Sequence, residues 1–215
     1  MIHRLAPKGR NDPKVFCIGL NKTGTTSLEK ALKDMGHRFG DQTAGELLLN
    51  KWAKRNFQPI IDFCHSADAF QDVPFSLPYT YQALDQAFPN AKFILTVRDS
   101  AEAWYASMTR FHSKLWADGE RIPTPDDLKN AFYLEAGYIW RGHRLIYNTP
   151  DTDPYHKSIM LAHYDRHLAS VRDYFRHRSD KLIEVNIARE GEYLRLCRFL
   201  GKEPLGDSFP WLNKT

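Results

Sequence analysis

Short apolar runs alternate along the chain with stretches whose apolar residues recur every three or four positions. Residues 14–20 (KVFCIGL) form the first such run, partly β-branched and bounded by Pro13 and Asn21, and predict a buried strand. After a polar loop, Leu28, Ala31, Leu32 and Met35 fall at helical spacing, and Gly36 is placed to stop the helix. Strand, tight loop and helix make a β-α unit of the kind that builds a parallel sheet, which predicts an α/β fold.

The same reading extends to the C-terminus. A helix is predicted over 44–55, carrying Leu47, Leu48 and Trp52. Residues 60–78 interleave Asp62, His65, Asp68 and Asp72 with Phe63, Phe70 and Phe75, and yield one short strand over 69–73. A helix over 79–88 stops at Pro89-Asn90. The clearest strand is 92–97 (KFILTV), with Arg98-Asp99 at its C-terminal end and a helix over 100–115 behind it. Residues 117–125, with Gly119, Pro123 and Pro125, read as a surface loop. Asp126 or Asp127 then caps a long helix running to Tyr147. After a loop over 148–154 come a helix over 159–178, a strand over 181–187 and a helix over 191–200 closed by Gly201. The tail 204–215, with Phe209, Pro210 and Trp211, is irregular, and no internal repeat or low-complexity segment occurs.

Composition narrows the class without naming it. A chain of 215 residues suits one compact domain over 1–215, with the polar, basic stretch 1–13 as a flexible lead. The net charge of +4, from 30 basic and 26 acidic residues, fits an anionic small-molecule ligand and is too slight to indicate nucleic acid. Cys17, Cys64 and Cys197 show neither disulfide nor zinc spacing, and Cys17 and Cys197 fall at core positions. No apolar run has the length of a membrane span, and the start of the chain carries no apolar leader, so a cytoplasmic enzyme is expected.

In an open parallel sheet, ligands sit beyond the C-terminal ends of the strands. Lys22-Thr23-Gly24-Thr25-Thr26, followed by Ser27, occupies that place after the first strand. Gly24 permits a tight turn, the helix start presents backbone N–H groups, and the dipole favours negative charge there. Thr25, Thr26 and Ser27 add hydroxyls, and Lys22 adds a positive charge. The loop departs from the nucleoside-triphosphatase pattern, because Thr25 stands where lysine should follow the second glycine. No strand ends in a free acidic residue suited to magnesium, since Asp99 can pair with nearby cations or cap the next helix.

A strand followed by Lys22-Thr23-Gly24-Thr25-Thr26-Ser27-Leu28 resembles the 5′-phosphosulfate loop of sulfotransferases that use 3′-phosphoadenosine 5′-phosphosulfate. Similar stretches recur at Asp72-Val73-Pro74, at 84–99 (LDQAFPNAKFILTVRD), at Tyr164-Asp165-Arg166-His167, and at 196–201 (LCRFLG) with Phe209-Pro210. The resemblance spans roughly residues 14 to 213. It implies a three-layer sandwich with a central parallel sheet, like that of the P-loop nucleoside triphosphatases. It also implies 3′-phosphoadenosine 5′-phosphosulfate as co-substrate, no metal, and a small-molecule or glycan acceptor.

The resemblance also implies roles. Arg98 and a serine on the next helix hold the 3′-phosphate. The family spacing lands on Ala106, so Ser107 is the candidate, with Ser100 as a substitute. Lys22 is the electrophilic catalyst at the bridging oxygen. Asp72 occupies the position of the base, with His65 and His37 as rivals. Trp104 reads as core or as an adenine-stacking residue, and Tyr164 and His167 as packing residues. The segments 117–125 and 148–154, with Trp116, Phe132, Tyr133, Tyr138, Trp140 and Arg141 between them, are expected to cover an acceptor of unread identity. The alternatives are a P-loop nucleotide kinase and a non-catalytic nucleotide-binding protein.

Overall fold

The computed structural model describes residues 13–210, so the predicted lead, apart from Pro13, and Trp211 of the tail lie outside the described residues. Strands β1 (Val15–Cys17), β2 (Ala69–Phe70), β3 (Lys92–Thr96) and β4 (Leu182–Val185) form one parallel sheet in the order β2-β1-β3-β4. The register sets Phe16 beside Phe70 and Phe93, and Ile94 beside Ile183.

Successive strand residues point to opposite faces. Phe16, Ile18, Phe70, Phe93 and Leu95 enter one core, while Val15, Cys17, Ala69, Ile94 and Val185 enter the other. Helices α5 (Thr80–Ala87), α6 (Ala101–Trp116) and α9 (Lys157–Phe175) cover the first face with Leu84, Trp104, Met108, Tyr164 and Phe175. Helices α1 (Thr25–Asp34) and α10 (Glu192–Leu200) cover the second with Leu28, Leu32, Leu196 and Cys197. This is the expected three-layer α/β sandwich. Strands buried on both faces explain why the sequence showed apolar runs rather than alternation. Full burial of each large apolar side chain contributes about 1.5–3 kcal/mol, so even short strands are held firmly. Cys17 and Cys197 are buried free thiols.

Asp85 fastens the layers. It is 4 % exposed and accepts hydrogen bonds from Tyr174 (2.9 Å), Arg178 (2.5 Å) and Lys181. Burial alone would raise its carboxyl; the bonds from Lys181, Arg178 and Tyr174 hold it below the ordinary carboxylate range.

Three predicted elements are corrected. The helix over 44–55 is two short helices, α2 (Gln42–Glu46) and α3 (Leu49–Ala53). The Glu46 carbonyl accepts from the Tyr138 hydroxyl at 2.8 Å, which draws it out of the helical ladder. The long helix ending at Tyr147 is likewise broken into α7 (Pro125–Asn130) and α8 (Tyr138–Tyr147), separated by extended Ala131 and left-handed Gly137 (φ 69°). Its cap is Thr124, in a capping box with Asp127, so neither predicted aspartate is the N-cap. Residues 58–63, predicted to hold no element, contain helix α4 (Gln58–Phe63) and run into a 3-10 turn, Cys64–Ser66. Strand β2 ends before Asp72, where the backbone turns left-handed (φ 54°) ahead of the cis Val73–Pro74 bond. Among the described residues, no helix is long and apolar enough to cross a membrane.

Candidate active site

The loop leaving β1 is shaped by close approach to β3. Ile18 N–H still bonds to Ile94 (2.8 Å), but a Cβ on Gly19 would stand 2.1 Å from Thr96 Oγ1 and 2.5 Å from the Thr96 carbonyl. Thr23 is 2 % exposed, and its hydroxyl lies 2.5 Å from that of Thr96 while donating to the Leu20 carbonyl. The Thr23 side chain therefore anchors the loop to β3, leaving its backbone to face a ligand. Lys22 (φ 68°) and Gly24 (φ 100°) both turn left-handed, which for a non-glycine such as Lys22 costs about 1–3 kcal/mol.

Helix α1 starts at once. Its N-cap, Gly24, offers no capping side chain, and its first turn holds no carboxylate. Thr26 is exposed there, while Thr25 and Ser27 are buried. An uncapped helix N-terminus beneath a lysine suits an anion. Lys22 makes no ion pair among the described residues. Its Nζ lies over the Phe111 ring, 3.5 Å from the centroid. Burial, then the charges of Arg98 and Lys114, lowers its pKa, against an opposing pull from Asp72.

Arg98, leaving β3, meets this loop directly. Its Nε donates to the Lys22 carbonyl (2.7 Å) and its Nη2 to Ser107 Oγ on α6 (3.2 Å). Of the serines weighed from sequence, Ser107 is thus the one beside Arg98. Ser100 caps α6, accepting from Ala103 N–H at 3.1 Å. Asp99 binds Arg189 (2.9 Å) and Asn186 (2.9 Å), so it neither caps α6 nor pairs with Arg98. Trp104, fully buried, stacks on Tyr164 and donates its indole N–H to the Asn21 carbonyl (2.9 Å). The Tyr164 hydroxyl accepts from Arg98 N–H (2.9 Å), and His167 Nε2 lies 2.8 Å from the Ile18 carbonyl. These three packing residues hold the Lys22 loop and the segment at Arg98 in place, and no adenine face is offered by Trp104.

Asp72 reaches the same place from β2. Its Oδ1 is buried without a hydrogen-bond partner among the described residues, although the residue keeps partial exposure. Burial pushes its carboxyl up to about 7, reinforced by Glu46 and Glu29 and opposed by a hydrogen bond from Thr25 and the charge of Lys22. The rival histidines stand elsewhere. His37 follows the C-terminal end of α1, about 15 Å along the helix from the loop. His65 packs on Phe88 (5.5 Å between rings), which precedes the start of β3, the end of the strand opposite Arg98.

Beside Lys22 opens a cavity of about 220 Å³ between α2, α6 and α8. Asn21, Val73 and Phe111 line the end next to Lys22 and Asp72; Glu46, Trp116, Tyr133, Tyr138 and His143 line the rest. The structure thus gathers Trp116, Tyr133 and Tyr138 at a cavity, whereas Phe132 is 76 % exposed. His112 also lines it and bonds to the Tyr155 hydroxyl (2.7 Å); burial, then the Lys22 charge, lowers its pKa to about 4. Sequence reasoning missed Phe111, His112 and Glu46. Phe111 and His112 carry only the helical period of α6, and Glu46 only that of a surface helix.

A family model described as a sulfotransferase domain matches residues 14–215. No curated protein matches the chain significantly.

Proposed function

The chain belongs to the sulfotransferase family, and on that premise we propose that it moves a sulfuryl group from 3′-phosphoadenosine 5′-phosphosulfate to a hydroxyl or amine of a small acceptor. The observation that carries the reading is the pair of hydrogen bonds from Arg98, one to the Lys22 carbonyl and one to Ser107. They join two cationic sites at the C-terminal edge of the sheet, and two joined anion sites suit a 3′,5′-bisphosphate nucleotide better than a linear triphosphate. Thr25 in place of the P-loop lysine, and Asp99 engaged by Arg189 and Asn186, both weigh against a kinase.

On this reading the N-terminus of α1, from Gly24 to Ser27, cradles the 5′-phosphosulfate. Arg98 and Ser107 hold the 3′-phosphate, the guanidinium in a charge-assisted pair. Lys22 meets the electron pair that passes to the bridging oxygen as the sulfur–oxygen bond breaks. Asp72 takes the proton that the acceptor gives up as its own oxygen or nitrogen bonds to sulfur. A carboxyl raised to about 7 is a far better base than an ordinary aspartate, and His112, lowered to about 4, is a poorer one than an ordinary histidine.

A thermal-shift assay tests the donor assignment. At a hundredfold excess over Kd, adenosine 3′,5′-bisphosphate contributes about 2.7 kcal/mol of linked stability. For a chain of this size that is a rise of about 5–10 °C in Tm, with little from ATP and magnesium. Selective stabilisation by ATP and magnesium sinks the assignment. Lys22→Ala should keep a shift with the bisphosphate while losing transfer; normal turnover would refute its role.

A further inference from the structure

The cavity beside Lys22 is lined mainly by apolar and aromatic side chains, with Asn21, His112 and His143 among them, and Glu46 is the one carboxyl in its lining among the described residues. Glu46 presents a carboxyl there, with Oε1 receiving Gln42 Nε2 (3.1 Å) and the Tyr133 hydroxyl (3.3 Å). Its Oε2 is buried and has no hydrogen-bond partner among the described residues. A buried acceptor without a donor is costly, and more so when it carries charge. Three aromatic rings line the same cavity as this carboxyl. Trp116 and Tyr133 are 5.8 Å apart, Tyr133 and Tyr138 are 6.0 Å apart, and the Tyr138 hydroxyl bonds to the Glu46 main chain. A carboxylate and several aromatic rings sharing one cavity make an environment for a cation bonded to nitrogen.

We propose that the acceptor carries a protonated amine close to the atom that receives the sulfuryl group, and that Glu46 is the residue that selects it. The inference rests on the sulfotransferase reading, which makes this cavity the acceptor site. The volume, about 220 Å³, falls below the roughly 300–1,000 Å³ of sites for drug-sized ligands, so a single ring or a short branched chain fills it. The amine lies near the reacting atom because one cavity is lined both by Glu46 and by Val73, the neighbour of Asp72, and the Glu46 charge is felt at the Asp72 carboxyl. One then serves the nucleophile and the other the ammonium. Burial raises the Glu46 carboxyl in the free protein, against the bonds from Gln42 and Tyr133, and a bound ammonium reverses that shift.

Matched pairs of probes test this by calorimetric titration, with and without adenosine 3′,5′-bisphosphate. Phenylethanolamine is compared with 1-phenylpropan-1-ol, and valinol with 2,3-dimethylbutan-1-ol; within each pair a methyl replaces the ammonium. The wild-type protein should bind the amine of at least one pair about tenfold or more tightly than its neutral partner. Glu46→Gln, which keeps the carbonyl oxygen facing Gln42 and Tyr133, should abolish that preference and leave nucleotide binding unchanged. Equal or weaker binding of both amines by wild type overturns the proposal, and so does a preference that survives in Glu46→Gln. The wild-type comparison decides the matter even if the variant fails to fold. Nucleotide binding without amine preference removes this inference alone, whereas failure to bind the bisphosphate removes the donor assignment beneath it.

Discussion

Asp72 combines a left-handed backbone (φ 54°) with a carboxyl pushed up to about 7 by burial and then by Glu46. A base works only when ionised, so kcat/KM should fall about tenfold per unit as pH drops below about 7. An ordinary aspartate would hold the rate level down to about pH 4. Asp72→Asn should cost about 10²–10⁴-fold in turnover without lowering Tm, because it removes a buried charge while keeping the shape. A pH–rate profile flat from 8 to 5, or an active Asp72→Asn protein, would move the base elsewhere. Asp72 was legible because it stands in the short Asp72-Val73-Pro74 motif. Its elevated pKa was not, since it depends first on burial, which exists only in the folded chain, and then on Glu46, distant in sequence and carried there by helix α2.

At the scale of elements, the junction of β1 with β3 is the most constrained part of the loop. Gly19→Ala would drive a methyl group to 2.1 Å from Thr96 Oγ1 and 2.5 Å from main chain, neither of which can yield without separating the strands. Gly36→Ala strains only a backbone at φ 90°, with nothing within 4 Å of the added carbon. Urea denaturation should show Gly19→Ala losing about 3 kcal/mol or more and Gly36→Ala about 1 kcal/mol. The reverse ranking would mean that the loop packs differently. Helices α6 and α9 were legible because their apolar periods are long. The breaks in 44–55 and 126–147 were not, because one remote contact, the Tyr138 hydroxyl on the Glu46 carbonyl, interrupts the first, and Gly137 begins the second helix of the other pair. The capping box at Thr124-Pro125-Asp126-Asp127 was written in the sequence, where its aspartates competed for the role that Thr124 holds.

For the whole molecule, the buried histidines set the acid limit. Burial lowers His112 to about 4 and His163 to about 3; it also lowers His143 and His167. From about pH 6.5 downward, the unfolded chain takes up protons that these folded histidines refuse, so stability falls with pH, by up to about 1.4 kcal/mol per unit for each. Asp72 and Glu46 act oppositely, since burial makes their folded carboxyls keep protons that the unfolded ones release, but they are two groups against four. Urea midpoints should therefore decrease from pH 7 to 5; a flat or rising series would contradict neutral burial of these rings. The sheet and the loops after β1 and β3 could be read from local patterns. The cavity proposed for the acceptor could not, because α2, α6 and α8 meet only in the folded chain.

The bond from Arg98 Nε to the Lys22 carbonyl, 2.7 Å long, has a consequence for discrimination. On the proposed function, the guanidinium that would hold one end of the nucleotide also steadies the backbone of the lysine that would act at the other. Occupancy of the far end would thereby be reported to the reacting end. A nucleotide with only one of its two phosphate groups would dock without setting that lysine, so the site acts as a coincidence gate that answers to the span of its ligand.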